Sequence, residues 1–365
     1  MMSDQLLNNF NSLQFQNDLL RWYAESKRDL PWRRERDPYK IWVSEIMLQQ
    51  TKVDTVIPYF NHFIEKYPNL YELASADQQD VLKSWEGLGY YSRARNLQNA
   101  VREVVEEYGG EVPSTPKELG SLKGIGPYTQ GAILSIAFNQ PEPAVDGNVM
   151  RVFSRVLNIE ENIAQQRTKK LFEGYVREII SKEDPSSFNQ AIMDLGATIC
   201  TPKAPACMFC PVQEHCRAFA EGIQEELPIK TKAKKQKTIP YVALLIENEN
   251  GEFIIEKRSE NGLLANLWQF PMVPIEEIGM EHLENWVFSE YGLRINLKQQ
   301  LGKLKHVFSH LIWRLEIFKA STDQTDTDDD RIIFVDPTDI TNYPFPVSHQ
   351  KMQKYITGTT KEDMK

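Results

Sequence analysis

The chain has 365 residues, of which 41% are hydrophobic, 10% aromatic and 25% charged. This is the composition of a soluble globular protein with core material for two domains or slightly more, and no apolar run approaches the ~18 residues of a membrane helix. The formal net charge is −9, which argues against a phosphate-binding partner only if the charge is evenly spread.

The segment Met1 to Phe10 is polar and lacks the basic-then-apolar layout of a secretory signal. The chain is therefore expected in the cytoplasm, or associated with a bacterial nucleoid, with no signal peptide or transmembrane segment. Phe15, Leu19, Leu20, Trp22 and Tyr23 recur at helical spacing. At Asp37-Pro38 a second helix starts. It is apolar on nearly every face, through Ile41, Trp42, Val43, Ile46, Met47 and Leu48, with Glu45 in its middle. A carboxyl in such surroundings is either paired with a cation or held protonated. The second state is what a general acid requires. Leu97, Ala100, Val101, Val104 and Val105 predict a further helix.

The run Leu122-Lys-Gly-Ile-Gly-Pro-Tyr-Thr places Gly124 and Gly126 where a tight hairpin needs them, and Pro127 at the first turn of the next helix. Backbone N–H groups at that helix start are a site for an anion such as a DNA phosphate, with no formal positive charge needed. The same letters also fit a plain helix–helix turn. Further on, with Asp146 seventeen residues past Thr129, Val145-Asp146-Gly147-Asn148-Val149 sets an acid among apolar neighbours. It reads as a helix N-cap, as a working carboxylate, or as both.

All four cysteines fall within 17 residues, spaced Cys200-x6-Cys207-x2-Cys210-x5-Cys216. Thiolates at this density bind zinc or an iron–sulfur cluster. Zinc sites use paired short spacings, and only Cys207 and Cys210 are that close. Residues 223–237 carry five Lys in eight positions, bracketed by Pro228 and Pro240. They predict a solvated, extended linker. Beyond it the pattern changes to short β-type runs, Tyr241–Ile246, Phe253–Ile255 and Ile312–Phe318. The expected architecture is therefore multidomain: an all-helical domain over 1–222, the Lys-rich linker over 223–237, and an α+β domain over 238–365. Charge divides as −5, +3 and −7 over these three segments, so the last holds most of the excess acid.

Taken in order, the Glu45 helix, the hairpin, Asp146 and the four-Cys loop resemble the endonuclease III superfamily of helix-hairpin-helix DNA base-excision glycosylases. Within it they resemble the MutY family, which acts on adenine opposite 8-oxoguanine. The resemblance extends along essentially the whole chain, because that family carries a C-terminal domain resembling the MutT (Nudix) hydrolases. It implies a [4Fe–4S] cluster on Cys200, Cys207, Cys210 and Cys216, no catalytic metal, a monomer acting on double-stranded DNA, and contact with a repair clamp. It implies that Glu45 protonates the flipped adenine, that Asp146 stabilises the oxocarbenium-like sugar, and that Tyr128 and Asn148 position them. Glycosylases with strong lyase activity have a Lys where Tyr128 stands, and a phenol cannot form a Schiff base. Arg28, Leu30, Trp32 and Arg33, with Gln190 and Met193, correspond to the walls of the adenine pocket. Gln50, Thr51, Leu88 and Tyr90 correspond to the wedge in the duplex and the lesion contacts.

In the C-terminal domain, alignment on Gly292 leaves only Glu290 of the MutT metal-binding acids. Pyrophosphate hydrolysis is not expected. Phe308-Ser309-His310 corresponds to the family's 8-oxoguanine recognition loop, where a hydroxyl both donates and accepts. Without the resemblance, the same three residues read as a loop beside a strand.

Overall fold

A computed structural model of the protein describes residues 6–231 and 236–357. The chain divides into two compact units, residues 1–75 with 96–232, and residues 76–95 with 233–365. Residues 76–95 lie inside the stretch 1–222 that the sequence assigns to one helical domain, yet they group with the second unit. Among the described residues, no helix is long and apolar enough to cross a membrane.

The first unit is helical. Its principal helices are α1 (Ser12–Ser26), α2 (Pro38–Leu48), α3 (Val53–Lys66), α4 (Pro116–Ser121), α5 (Pro127–Phe138), α6 (Gly147–Leu157), α7 (Gln166–Ile179) and α8 (Pro185–Thr198). Their starts follow from sequence. Asp37, Thr115, Asp146 and Asp184 each accept a backbone N–H from the first turn, and Pro occupies the first turn of α2, α4, α5 and α8. One core, built on Phe15, Leu19, Phe153, Phe172 and Phe188, joins α1, α6, α7 and α8. Helix α5 packs on both α2 and α8. The loop before α6 crosses α5 closely at Gly131, where a Cβ would stand 2.0 Å from the carbonyl oxygen of Pro143.

The stretch after residue 222 is not a free tether throughout. Leu227 is buried, its carbonyl accepts from Arg155 Nε at 3.0 Å, and Ile229 O accepts from Ile163 N at 3.0 Å. One buried side chain and two backbone carbonyls anchor this stretch, while the Ile229 side chain stays exposed. Residues 232–235, the middle of the Lys-rich run, lie outside the described residues, as do 1–5 and 358–365. Lys237, the linker's expected last residue, already belongs to a strand.

The second unit is a seven-stranded sheet of β1 (Lys237–Glu247), β2 (Phe253–Lys257), β3 (Trp268–Gln269), β4 (Met272–Val273), β5 (Asn296–Val307), β6 (Leu311–Ser321) and β7 (Ile332–Val335). The main order is β3-β2-β1-β6-β5, with β1 and β6 parallel and β5 and β6 a hairpin. Both faces are covered. Ala243 and Leu245 join a core with Met352 of helix α10 (Val347–Thr357), while Val242, Leu244 and Ile246 join a core with Val287 of helix α9 (Leu283–Tyr291). A central strand buried on both sides reads as a continuous apolar run, and Val242–Ile246 is one.

Candidate active site

The carboxyl of Glu45 enters a cavity of about 150 Å³ in the helical unit. Arg28, Leu30, Trp32, Arg33, Thr51, Tyr128, Asp146, Asn148, Gln190 and Met193 line it with Glu45. Ten of the residues singled out by sequence for the chemistry, the base pocket and the wedge thus meet Glu45 at one hollow, though they are spread over 166 positions of the chain. Gln50 is not among the lining residues; its backbone sits at φ 60°, a left-handed conformation beside the end of α2.

Glu45 is buried. Its hydrogen-bond partner is a phenol: Tyr128 Oη donates to Glu45 Oε2 at 2.7 Å. Burial pushes the carboxyl up from 4.5 to about 7; the Tyr128 hydrogen bond and the Arg33 guanidinium oppose this, and Asp146 adds to it. A carboxyl held at about 7 is about half protonated at neutral pH. The Tyr128 hydroxyl is itself raised well above its ordinary value by burial and by Glu45, so it stays a donor.

Asp146 is the N-cap of α6. Its Oδ1 accepts from Val149 N at 2.8 Å and its Oδ2 from Asn148 Nδ2 at 2.9 Å. Burial raises its carboxyl, and these hydrogen bonds and Arg151 oppose the rise. The cap and the exposed-to-cavity carboxylate are one group, as sequence allowed. Asn189 holds the approach to it, donating to Ser135 Oγ and Glu142 O and accepting from Ala144 N.

Two partners of this site went unread in the sequence. Asp194 on α8 accepts from Arg33 Nη1 at 2.7 Å and Nη2 at 3.0 Å, and from Arg28 Nε at 2.8 Å. Arg151 on α6 donates to Asn148 Oδ1 at 2.9 Å, to Gly196 O at 2.7 Å and to Cys200 O at 2.8 Å. A signal for the second existed: Arg151 and Arg155 stand four apart in an otherwise apolar helix, so both point to one buried face.

The four cysteines also converge. All line one apolar-walled cavity with Val152, Val156, Leu195 and Val212. Arg155 donates to Cys200 Sγ at 3.3 Å and to Thr201 O at 2.8 Å. Burial pushes the Cys210 thiol up to about 12 and also raises Cys207 and Cys216. Among the described residues, no three His, Cys, Asp or Glu side chains are gathered tightly enough for one metal ion.

The hairpin turn lies between α4 and α5. Gly124 has φ +87°, and a Cβ there would press on Asn96 Cβ at 2.9 Å; Gly126 is the N-cap of α5. The turn therefore demands Gly124 twice over, by conformation and by space.

In the second unit, Tyr90 lines a cavity with Phe308, Ser309, His310, Leu263 and Leu264. Leu88 is buried and is not part of that lining. Phe308, Ser309 and His310 form the tip of the β5–β6 hairpin, closed by Phe308 N donating to Leu311 O at 2.8 Å. The Phe308 ring meets Trp313 edge-on at 4.7 Å, and Ser309 stays exposed. Tyr90 at φ 47° and Leu264 at φ 58° hold left-handed backbone on this cavity, strain of the kind found at ligand sites.

Residues 43–178 match the family of HhH-GPD superfamily base excision DNA repair proteins, and residues 242–355 match the NUDIX domain family. The chain is 36% identical over 369 residues to an adenine DNA glycosylase of Mus musculus, spanning 85% of this chain and 71% of that protein. It is 36% identical over 302 residues to an adenine DNA glycosylase of Buchnera aphidicola subsp. Schizaphis graminum, spanning 81% and 84%. Among solved structures, a thermostable thymine-DNA glycosylase superposes with a TM-score of 0.52 at 28% identity, covering 57% of this chain and 97% of that one.

Proposed function

The chain belongs to the adenine DNA glycosylase family of base excision repair, and we propose that it releases adenine opposite 8-oxoguanine without cutting the strand. The observation that carries this reading is the pairing of a protonatable Glu45, hydrogen-bonded to Tyr128, with Asp146 across one cavity. An adenine anion is a poor leaving group. Glu45 delivers a proton to the flipped base, and Asp146 faces the positive charge that grows on the sugar as the bond breaks. Two carboxyl groups with different surroundings divide the acid and the electrostatic role. Tyr128 positions the Glu45 proton, and Asn148 orients Asp146. Arg28, Leu30, Trp32, Arg33, Gln190 and Met193 bound the space for the base.

Three further features support the finer reading. Among the described residues no lysine lines the Glu45 cavity, and Tyr128 stands where an imine-forming amine would be needed. The hydroxyl of Ser309 and the ring of Tyr90 share the second unit's cavity, a stacking and hydrogen-bonding pair suited to a modified purine. The turn at Gly124 and Gly126 offers backbone N–H groups to a DNA phosphate. Gln50 and Thr51, at the end of α2, are assigned to the duplex wedge; Leu88, buried in the second unit, is not.

Cys200, Cys207, Cys210 and Cys216 hold a [4Fe–4S] cluster in this reading. Four sulfurs line one apolar cavity, and their spacing lacks the paired short intervals of zinc sites, which favours a cluster. The cluster supplies a rigid anchor for loop 200–216, and Arg151 and Arg155 bind that loop's backbone. Purified protein is expected to contain iron and acid-labile sulfide in equal amounts. Stoichiometric zinc with no sulfide contradicts the assignment.

The defining test is single-turnover cleavage of duplexes holding adenine opposite 8-oxoguanine, adenine opposite guanine, or thymine opposite guanine. Strand breaks are expected only after alkali, fastest for the 8-oxoguanine pair and absent for thymine. Borohydride is expected to trap no protein on the DNA. Efficient covalent capture, or equal rates opposite guanine and 8-oxoguanine, overturns the corresponding part of the proposal.

A further inference from the structure

Asp194 is a buried acid that touches neither Glu45 nor Asp146, yet it takes up both arginines of the Glu45 cavity. Its side chain is 1% exposed, against 30% for Arg28 and 12% for Arg33. Arg33 meets it with two nitrogens at 2.7 and 3.0 Å, and Arg28 through Nε at 2.8 Å, so its two oxygens carry forked contacts from both guanidinium groups. Arg33 is also held from outside by the face of the Tyr23 ring at 5.7 Å, and its Nη1 reaches back to Arg28 O. Asp194 rides on α8, the helix that brings Gln190 and Met193 to the cavity.

The groups facing Glu45 are Tyr128 from α5, Arg33 from the 3-10 turn Pro31–Arg33, and Asp146 from the start of α6. Arg33 is the cation among them, and it acts on Glu45 electrostatically while its hydrogen bonds go to Asp194. A guanidinium always carries its charge. Bonded directly to Glu45, it would hold that carboxyl ionised through neutral pH and remove the acid. Burial alone raises the Asp194 carboxyl, but the contacts from Arg33 and Arg28 overcome this and hold it below the usual carboxylate range. Asp194 is thus an anion at neutral pH.

We propose that Asp194 is a positioning residue that diverts Arg33 from Glu45, so that Glu45 has no hydrogen-bonded cation and stays available as the proton donor. The arginines can then line the base pocket as fixed donors without ionising the acid beside them. This rests on the reading of Glu45 as general acid.

The test is the pH dependence of single-turnover adenine release by the full-length protein. The alkaline limb of the parent reports loss of the Glu45 proton. In Asp194→Asn the limb is expected to move about one pH unit toward acid, with the rate at pH 8 down about tenfold. Well below the limb, where Glu45 is protonated either way, the rate is expected within about threefold of the parent. Adding Arg33→Gln to Asp194→Asn removes the released cation, and the limb is expected to move back toward the parent position. Asp194→Glu keeps the charge and should keep the parent limb, whatever its rate. An equal loss at all pH values with the limb unmoved shows ordinary structural damage and overturns the proposal. Should Asp194→Asn not accumulate as folded protein, a displaced limb in Asp194→Glu overturns it and a parental limb supports it. Glu45→Gln, run alongside, separates the two readings. If it keeps parental activity, the acid assignment fails and takes this proposal with it. If it is inactive while Asp194→Asn keeps the parental limb, only the role of Asp194 fails.

Discussion

Glu45→Gln is expected to lower single-turnover adenine release by about 1,000-fold, within the range a positioned general acid contributes, while making the protein more stable at pH 8. The amide is close in shape to the carboxyl, still accepts from Tyr128, and has no proton to give. Stability moves the other way because of where Glu45 sits. Its carboxyl is held at about 7 in the fold, against 4.5 ordinarily, chiefly by burial. The folded state therefore binds this proton more tightly than the unfolded chain does. Stability tied to that proton is fully present below pH 4.5 and is lost as pH rises through 7. Ionising the buried group costs up to about 3 kcal/mol at pH 8 by this linkage. An amide N–H left without a partner returns about 1 kcal/mol of that. A net gain of about 2 kcal/mol is a Tm rise of a few degrees for units of this size. The gain should grow from pH 5 to pH 8 and be absent at the acid end. Thermal melts of parent and variant across that range, beside the glycosylase assay, check both parts. Activity retained within tenfold, or a variant whose relative stability falls as pH rises, contradicts the role of Glu45.

A substitution expected to remove activity and add stability would mark Glu45 as a residue kept against the interest of the fold. Its oddity was legible from sequence, because a single Glu in a helix apolar on nearly every face breaks a local rule. The same holds for Asp146 in Val-Asp-Gly-Asn-Val and for the four cysteines, where spacing and neighbours carry the signal. Helix starts were legible for the same reason, since Asp37, Asp146 and Pro127 act on the residues next to them. Asp194 was not, because its meaning depends on Arg28 and Arg33, over 160 positions earlier. A buried counter-ion looks like any helical Asp until the fold brings its partner. The linker misled for a different reason. Five lysines dominate its composition, while Leu227 and Ile229, the two residues that fix its first half, are a minority in it. The parallel pairing of β1 with β6 likewise joins segments about 70 residues apart, beyond what alternation within either strand reveals.

Asp146→Asn is the second substitution with a large expected effect, and it separates chemistry from folding. Asn caps helices about as well as Asp, so the hydrogen bond to Val149 N is retained and α6 should start as before. The new NH2 replaces Oδ2 and cannot accept from Asn148 Nδ2, whose orientation Arg151 fixes, so that one contact is lost while the cap remains. What disappears is the negative charge opposite the developing sugar cation. Removing a preorganised electrostatic partner from a water-poor site costs roughly 100- to 1,000-fold in rate, and that loss is expected here with Tm lowered by only a few degrees, the cost of the one contact to Asn148. Asp146→Ala should lose the same rate and about 1 kcal/mol more stability, the value of the cap. The pH profile distinguishes loss of charge from misplacement. In the parent, Asp146 must be ionised and Glu45 protonated, which gives two limbs. Burial raises the Asp146 carboxyl, so the acid limb belongs above the ordinary carboxylate position of 3.8. In Asp146→Asn the acid limb should vanish. The alkaline limb should persist but move toward acid, because Asp146 is one of the groups that raises Glu45. A variant that keeps both limbs at reduced rate would show that another group titrates in the acid range, and Asp146 would then be a helix cap alone.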